Sequence, residues 1–391
     1  MRNSDLTDEK ILEGLLQFSK GMIEGEDGKA LISKYQYALD KITPSLMIKM
    51  ENKQLTSGIS PAKIKKSIEK MMNVFHEHLK NYKWEKPGEG HPIYYYMQEN
   101  RELEKLLDLI KESLAAKDFK KVKFLLPKLA EIENHYIRKE NILFPYLERI
   151  WEDYLPLQVM WSLHDDIRNK LKILQDLTNN SDDFTPKFIE EIGELFFLMY
   201  GMIFKEELVV FPKAMETIKA KETWDKIQNL SEELGYSYIE APQNEKPNSR
   251  SNGFTDLFWK VETGELDFKQ IDLLLNHLPI DITFVDENDE VRYFSRAKDR
   301  FFPRSPAIIG RKVHNCHPPE SMHIVEKIIS EFKKGNRNEA KFWFHMKGKF
   351  ILIRYFAMRD EAGNYKGVLE VGEDITEINQ ISGEQRLLDW E

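Results

Sequence analysis

Histidine and glutamate side chains recur at matched places in the middle of this chain. One copy of the pattern is ENILFPYLE, which begins at Glu140, and His135 precedes it by five residues. A second copy, ELVVFPKAME, begins at Glu207 and has Met202 at the place that matches the histidine. Imidazole and carboxylate groups are suitable ligands for iron. The spacing therefore predicts a metal site built from a duplicated segment.

Helices must bring these side chains together. A helical segment lies upstream of each copy, and each has one histidine near its start, His91 in the first and His164 in the second. An internal duplication of this kind predicts a pseudo-twofold four-helix bundle with inward histidines and glutamates. Pro145 and Pro212, at matching places in the two copies, should kink the second and fourth helices.

Composition and charge limit the classes of function. Hydrophobic residues make up 41% of the 391 residues, which supports substantial cores. The net charge of -9 argues against a general nucleic-acid surface, because phosphate binding needs clustered lysine and arginine. No apolar run reaches the roughly 18 residues of a membrane helix, and the N-terminus lacks the apolar core of a signal peptide. Cys316 is the single cysteine, so no internal disulfide forms and we expect a cytoplasmic protein.

The pattern of apolar residues changes along the chain. It is helical at first, then a polar stretch follows, and then apolar and polar residues alternate as in strands. The expected fold class is α+β multidomain: an all-α part with a four-helix bundle, followed by an antiparallel-sheet domain with helices on one face. The predicted segments are a small helical domain at 1–82, the bundle at 83–236, a linker at 237–253, the sheet domain at 254–376 and a tail helix at 377–391.

Three stretches resemble known families. ENILFPYLE and EELVVFP, within about residues 90–220, resemble the signatures of hemerythrin-like HHE cation-binding proteins. Residues from about 25 to 80 look like the small helical domain of unknown function (family 438) that is often found in front of such bundles. Residues 270–376 resemble a PAS sensor domain, with LPIDITFVDENDEVRYFS as its opening hairpin and GVLEVGEDIT as its final strand.

The first resemblance implies a di-iron site held by histidines and bridging carboxylates. The candidate metal ligands, carried over residue by residue, are His91, His135, Glu140, His164 and Glu207. The sequence departs from the family pattern at Met202 and at Arg168, which stand where the family has further histidines. A thioether is a poor ligand for ferric iron, so we expect one iron to be held tightly and a second weakly, giving one or two non-heme irons.

The spacing in the second helix raises a geometric question. Glu140 lies about 140° around an α-helix from His135, so the two side chains converge only where the helix is kinked or bulged. Lys139 occupies the more favourable i+4 position. The alternative interpretation is that metal binding has been lost and the histidines are ordinary core residues. Three ordered histidines with duplicated glutamates favour the metal.

A second polar group lies in the PAS-like part, at GRKVHNCHPPE. His317 shapes the turn into the following helix, or a histidine ligates heme in an apolar PAS pocket. A third role, a flavin-reactive cysteine at Cys316, lacks the rest of its motif. The candidate heme-binding residues are His317, His314 and His323.

Two functions of different classes follow. The first is a cytoplasmic sensor: iron in the bundle responds to oxygen, nitric oxide or redox state, and the PAS domain binds a small ligand and relays the signal through a protein partner in trans or a homodimer. The alternative is a di-iron enzyme or iron donor that acts in nitric oxide or peroxide detoxification or in iron–sulfur cluster repair. A scaffold without cofactor is a third. PAS domains are usually regulatory and the ligand set is thin for catalysis, so the sensor is favoured. No catalytic residue, nucleic acid or membrane is expected.

Overall fold

The computed structural model describes residues 7–181, 183–240, 258–261, 263–296 and 300–384. These residues form two compact units, a helical one and, after it in the chain, one built on a sheet. Along this part of the chain, no helix is both long and apolar enough to cross a membrane.

The helical unit opens with short capped helices. The aspartate side chain of Asp27 and the threonine side chain of Thr43 accept hydrogen bonds from backbone N–H groups in the first turns of the second and third helices. Gly25, at φ 83°, ends the first helix in the left-handed region that favours glycine. The helices are α1 (Asp8–Glu24), α2 (Gly28–Leu39), α3 (Pro44–Thr56) and α4 (Pro61–Leu79).

The bundle follows in the same unit. Its second helix is broken into segments by the 3-10 turn Ala130–Ile132 and by the π turn Lys139–Leu143, and its fourth by the π turn Glu206–Val210. The helices are α5 (Pro92–Ala115), α6 (Phe119–Leu129), α7 (Glu133–Arg138), α8 (Phe144–Ile150), α9 (Leu155–Asn179), α10 (Pro186–Lys205), α11 (Phe211–Thr217) and α12 (Lys221–Leu234).

Both π turns end directly before a Phe-Pro pair. Proline has no N–H to donate, and its ring clashes with the carbonyl four residues earlier. The backbone ladder therefore widens ahead of Pro145 and of Pro212, which inserts an extra residue into each helix. The bulge that the five-residue spacing between His135 and Glu140 requires is thus present.

One hydrophobic core runs through the whole helical unit. It includes residues from Ile11 in α1 to Ile227 in α12, without a break at the predicted border between 82 and 83. A buried ion pair also joins the N-terminal helices to the bundle, because the Lys205 ammonium donates to the Glu51 carboxylate at 2.9 Å. The first helices therefore pack as part of the bundle's support.

The second unit contains a five-stranded antiparallel sheet in the order β4-β3-β7-β6-β5, and a separate pair β1-β2. A Cβ at Gly367 of β7 would lie 2.1 Å from the Val285 carbonyl oxygen, so only glycine fits where β7 passes β3. The elements are β1 (Phe258–Val261), β2 (Gly264–Asp267), α13 (Phe268–His277), β3 (Asp281–Asp286), β4 (Val291–Phe294), α14 (Pro319–Lys333), β5 (Glu339–Met346), β6 (Lys349–Arg359) and β7 (Tyr365–Asp374).

The predicted fold class is confirmed: a helical region with a bundle precedes an antiparallel-sheet domain. The predicted segment borders stay predictions. Most of the predicted linker, from 241 onward, lies outside the described residues, and so does the end of the predicted tail helix, 385–391. The described part of that tail carries the 3-10 turn Ile378–Gln380.

Candidate functional site

His135, at the centre of the bundle, lies between two buried carboxylates. Its Nδ1 is 2.8 Å from Glu99 Oε2 of α5, and its Nε2 is 3.0 Å from Glu206 Oε2 of the second π turn. The ring of Tyr96 packs edge-on against it, with centroids 5.1 Å apart. Both ring nitrogens of the imidazole are therefore engaged by groups of the protein itself.

Four carboxylates near His135 and His164 each form an ion pair with a lysine or an arginine. Asn100 adds a further donor, since its amide lies 2.9 Å from Glu206 Oε2 and 3.4 Å from Glu207 Oε1. Arg138 and Lys139 are both 0% exposed, and buried charges of this kind are tolerated only when they are paired. The ion pairs are Arg138–Glu99, Lys139–Glu206, Arg168–Glu140 and Arg101–Glu207.

The pKa values of these carboxyl groups differ. Burial raises the pKa of Glu206, but Lys139 and His135 outweigh it and hold this pKa at about 2. Burial raises the pKa of Glu140 to about 7, against the opposing effect of Arg168. Glu206 is therefore an anion at neutral pH and needs its cation, whereas Glu140 takes up a proton close to neutrality.

His164, on α9, forms a second polar group with Glu140 and Arg168. Its Nδ1 is 2.8 Å from Glu140 Oε1, and the ring of Tyr136 stacks on it at 4.2 Å. Arg168 holds both oxygens of Glu140, at 3.0 and 3.1 Å. Burial lowers the pKa of His164, so the ring is neutral and donates from Nδ1 to the carboxylate. Its lone pair is then on Nε2, which is buried and has no hydrogen-bond partner.

His91 has a structural role at the start of α5. Its Nδ1 accepts a hydrogen bond from the Ile93 N–H at 3.2 Å, and its ring packs against Trp224 of α12 at 4.5 Å. Burial lowers its pKa to about 4, so the ring is neutral at pH 7. A neutral imidazole that accepts at Nδ1 carries its proton on Nε2. While it caps the helix, His91 offers no lone pair to a metal.

The sheet unit contains a cavity of about 260 Å³ between α14 and the sheet. Apolar side chains form most of its wall, among them Ile324 and Ile328 of α14 and Phe342, Ile353 and Val368 of the strands. Its polar residues are His317, Ser321, Tyr355 and Glu370. Sites for small molecules commonly combine an apolar wall with a few polar groups in this way.

His317 lines this cavity. Its Nδ1 donates to the Val313 carbonyl at 2.9 Å, and burial lowers its pKa, so the ring is neutral with its lone pair on Nε2. The other two candidate residues lie elsewhere. His314 lines a neighbouring pocket with Asp289, and His323 is an exposed residue of α14.

Cys316 belongs to the small core of the sheet unit. It packs with Val285, Val291 and Ile308. Its Sγ lies 3.7 Å from the Lys312 carbonyl oxygen. Nothing in this packing favours a flavin-reactive thiol.

Comparison with family models identifies two domains. Residues 91–214 match the model described as the hemerythrin HHE cation binding domain, and residues 271–376 match a PAS domain model. The chain therefore carries a hemerythrin HHE domain followed by a PAS domain. No curated protein matches the chain. The hemerythrin match suggests a metal, typically iron.

Solved structures are similar to only about a third of this chain or less. The chain is similar to a C-terminal domain from Streptococcus mutans, at 36% identity over 32% of this chain and 96% of that one, with a TM-score of 0.31. It is similar to a PAS domain from Colwellia psychrerythraea (20% identity, 28% and 97% covered, TM-score 0.23) and to a sensory box sensor histidine kinase from Vibrio cholerae (14%, 27% and 89%, TM-score 0.22).

The donors that the bundle presents do not fit an iron centre. The structure brings His164 and Glu140 together, but it places His135 against Glu206 and Glu99, and Glu207 against Arg101. Of the three histidines predicted as metal ligands, only His164 has a nitrogen lone pair without a hydrogen-bond partner. Across the described residues, no group of three or more histidine, cysteine, aspartate and glutamate side chains is arranged to hold a metal ion.

Sequence reasoning missed several residues of this centre. Glu206 stands i+4 from Met202, just as Lys139 stands i+4 from His135, so spacing alone could have singled them out. No spacing pattern in the sequence indicated Glu99 or Ser237. Ser237, in the predicted linker, is buried and donates its N–H to Glu99.

Proposed function

We propose that this chain is a sensory protein whose ligand site is the cavity of its PAS domain. The pairing of a hemerythrin HHE domain with a PAS domain supports a sensory role. The observation that carries the proposal is the cavity of about 260 Å³, whose largely apolar wall includes His317, a neutral ring with its lone pair on Nε2.

The cavity favours a compact, largely apolar ligand with one hydrogen-bond donor. Its volume is below the range of about 300–1,000 Å³ that is usual for pockets of drug-sized ligands. The Nε2 of His317 can only accept a hydrogen bond, because the proton of the ring is on Nδ1. The charge of Glu370, which also lines the cavity, is partly offset by Arg304 at 3.9 Å.

Extraction of small molecules from the full-length protein, followed by mass spectrometry, tests the proposal. Ile324→Trp should fill the cavity and remove the co-purifying molecule, whereas Ile324→Ala should keep it. Ile324 is 41% exposed, so neither change disturbs the core. A molecule that is retained by the tryptophan variant would contradict the assignment of the cavity.

Heme is the second candidate ligand, and one observation favours it. A metal-ligating histidine usually donates its other ring N–H to a carbonyl or carboxylate, as His317 does to Val313. Hemin added to the full-length protein should give a Soret band that is lost in His317→Ala and kept in His345→Ala, a matched control on β5 outside the cavity wall. If no Soret band appears, heme is excluded and the compact ligand, which the cavity volume favours, remains the candidate.

The remaining parts of the sensor hypothesis stay predictions. An iron in the bundle that responds to oxygen, nitric oxide or redox state would need the carboxylates that are paired with lysine and arginine. The alternative function, a di-iron enzyme or iron donor, needs the same carboxylates. Relay through a protein partner or homodimer, and a cytoplasmic location, are further proposals. Sedimentation of the full-length protein with and without the extracted ligand tests the dimer.

A further inference from the structure

We infer that the centre of the bundle is held together by the protein's own cations in place of a metal, with the Lys139–Glu206 ion pair as its central link. The inference concerns the helical unit alone and does not depend on the PAS cavity. It rests on the position of the two residues in the duplication, on the complete pairing of the carboxylates and on the state of the histidines.

Lys139 and Glu206 occupy equivalent positions of the duplicated segment. Each is the first residue of its π turn, and each lies five residues before the phenylalanine of a Phe-Pro pair. The two copies therefore place opposite charges at the same point of the repeat. Because the repeats face each other in a pseudo-twofold bundle, these side chains meet in the core and form an ion pair.

The carboxylates around this pair have cationic partners. Each of Glu99, Glu140, Glu206 and Glu207 forms an ion pair with a lysine or an arginine, although Arg168 and Arg101 also pair with other acidic side chains. A divalent or trivalent metal would have to compete with these cations for the carboxylates. Entry of the metal would also have to expel a buried ammonium or guanidinium, because Lys139 and Arg138 are 0% exposed.

The nitrogen donors are also committed. Both ring nitrogens of His135 face carboxylate oxygens, and the Nδ1 of His91 accepts from the backbone. The Nε2 atoms of His91 and His164 are both buried without a partner, but that of His91 carries the ring proton, so His164 has the one lone pair that these predicted ligands leave to a metal. A single imidazole does not make an iron site, which requires several converging ligands.

A double-mutant cycle on the full-length protein tests the inference. The variants are Lys139→Met, Glu206→Gln and the two together, and the measurement is the thermal midpoint of the helical signal with a chelator present. Lys139→Met should lower the midpoint by roughly 10 °C, because it leaves Glu206 buried without its cation. The double variant should regain most of that loss, because no unpaired charge remains.

A second measurement covers the case in which a single variant does not fold. The charge-exchanged protein, Lys139→Glu with Glu206→Lys, should fold and keep most of the wild-type midpoint, and ferrous iron should not raise the midpoint of the wild type. Losses that simply add in the double variant would overturn the inference. A wild-type midpoint that falls with chelator and rises with ferrous iron would overturn it as well.

Discussion

The two domains place a histidine in different surroundings. In the hemerythrin HHE domain, His135 lies between Glu99 and Glu206, and lysine and arginine side chains neutralise the surrounding carboxylates. In the PAS domain, His317 is neutral and lines a largely apolar cavity. We infer that the side chains of the first domain take the place of its metal, and we propose the cavity of the second domain as a ligand site.

This difference shows that a family's sequence signature and the side chains that bind its metal are separate properties. The Phe-Pro signature dictates the π turns and so the backbone that would position ligands. It does not dictate whether the side chain at the first π position is a glutamate or, as at Lys139, a lysine. The function of each domain must therefore be argued from its site.

The largest effect is expected at Arg138. Arg138→Met leaves the fully buried Glu99 without its guanidinium, so the free energy of unfolding should fall by about 3–5 kcal/mol. Arg101→Met is the matched control, because the Arg101 side chain is 40% exposed and its pair with Glu207 lies at the edge of the centre. Its effect should be about 1 kcal/mol or less. Denaturant unfolding followed by circular dichroism compares the two, and equal losses would contradict the description of a buried centre.

The stability of the helical unit should depend on Glu206 at acid pH. The folded pKa of Glu206, about 2, is below the ordinary value of 4.5. Its contribution is therefore complete above pH 4.5 and is lost as the pH falls toward 2, by about 3 kcal/mol in all. Free energies of unfolding measured across this range should fall more steeply for the wild type than for Glu206→Gln. Parallel curves would mean that Glu206 is not held as an anion.

Restoring ligands tests the comparison from the metal side. Met202→His alone should leave the iron content unchanged, because Glu206 remains paired with Lys139. The combination of Met202→His, Lys139→Glu and Arg168→His should raise it, since two cations leave and imidazole and carboxylate donors enter. Metal analysis of purified proteins measures this. A rise in Met202→His alone would show that the ion pair does not exclude the metal.

The smallest effect is expected at His91, because this residue is only partly buried and solvent weakens the effect of its titration on stability. Its folded pKa of about 4 lies below the ordinary 6.5, so the unfolded state binds more protons and stability is lost as the pH falls from 6.5 to 4. His91→Asn should flatten this dependence, because asparagine can cap the helix without titrating in this range. The exposed His76→Asn is the control. An unchanged slope in His91→Asn would place the acid sensitivity elsewhere.

Much of the fold followed from local patterns. Helical periodicity and the duplicated Phe-Pro pairs predict the bundle, and alternation predicts the sheet domain. The place of the bulges also follows locally, because Pro145 and Pro212 disturb only the turn before them. Each of these predictions depends on residues that are neighbours in sequence.

The centre of the bundle could not be predicted in the same way. In the sequence, Lys139 is simply the neighbour of the predicted metal ligand Glu140. Its ion pair with Glu206 depends on how the helices pack. Glu99 and Ser237 are 138 residues apart in sequence, and no spacing pattern predicts their contact. The candidate ligands that resemblance gave, such as Glu207, therefore differ from the residues that contact His135.

The iron content of the full-length protein tests the central claim most directly. The protein would be purified without oxygen from cells grown with ample iron, and its metal content and the thermal midpoint of its helical signal would be measured before and after treatment with a chelator. We expect substoichiometric iron and an unchanged midpoint, because Lys139, Arg138 and Arg168 already neutralise the buried carboxylates. Stoichiometric iron, with a midpoint that falls when the chelator removes it, would contradict the claim.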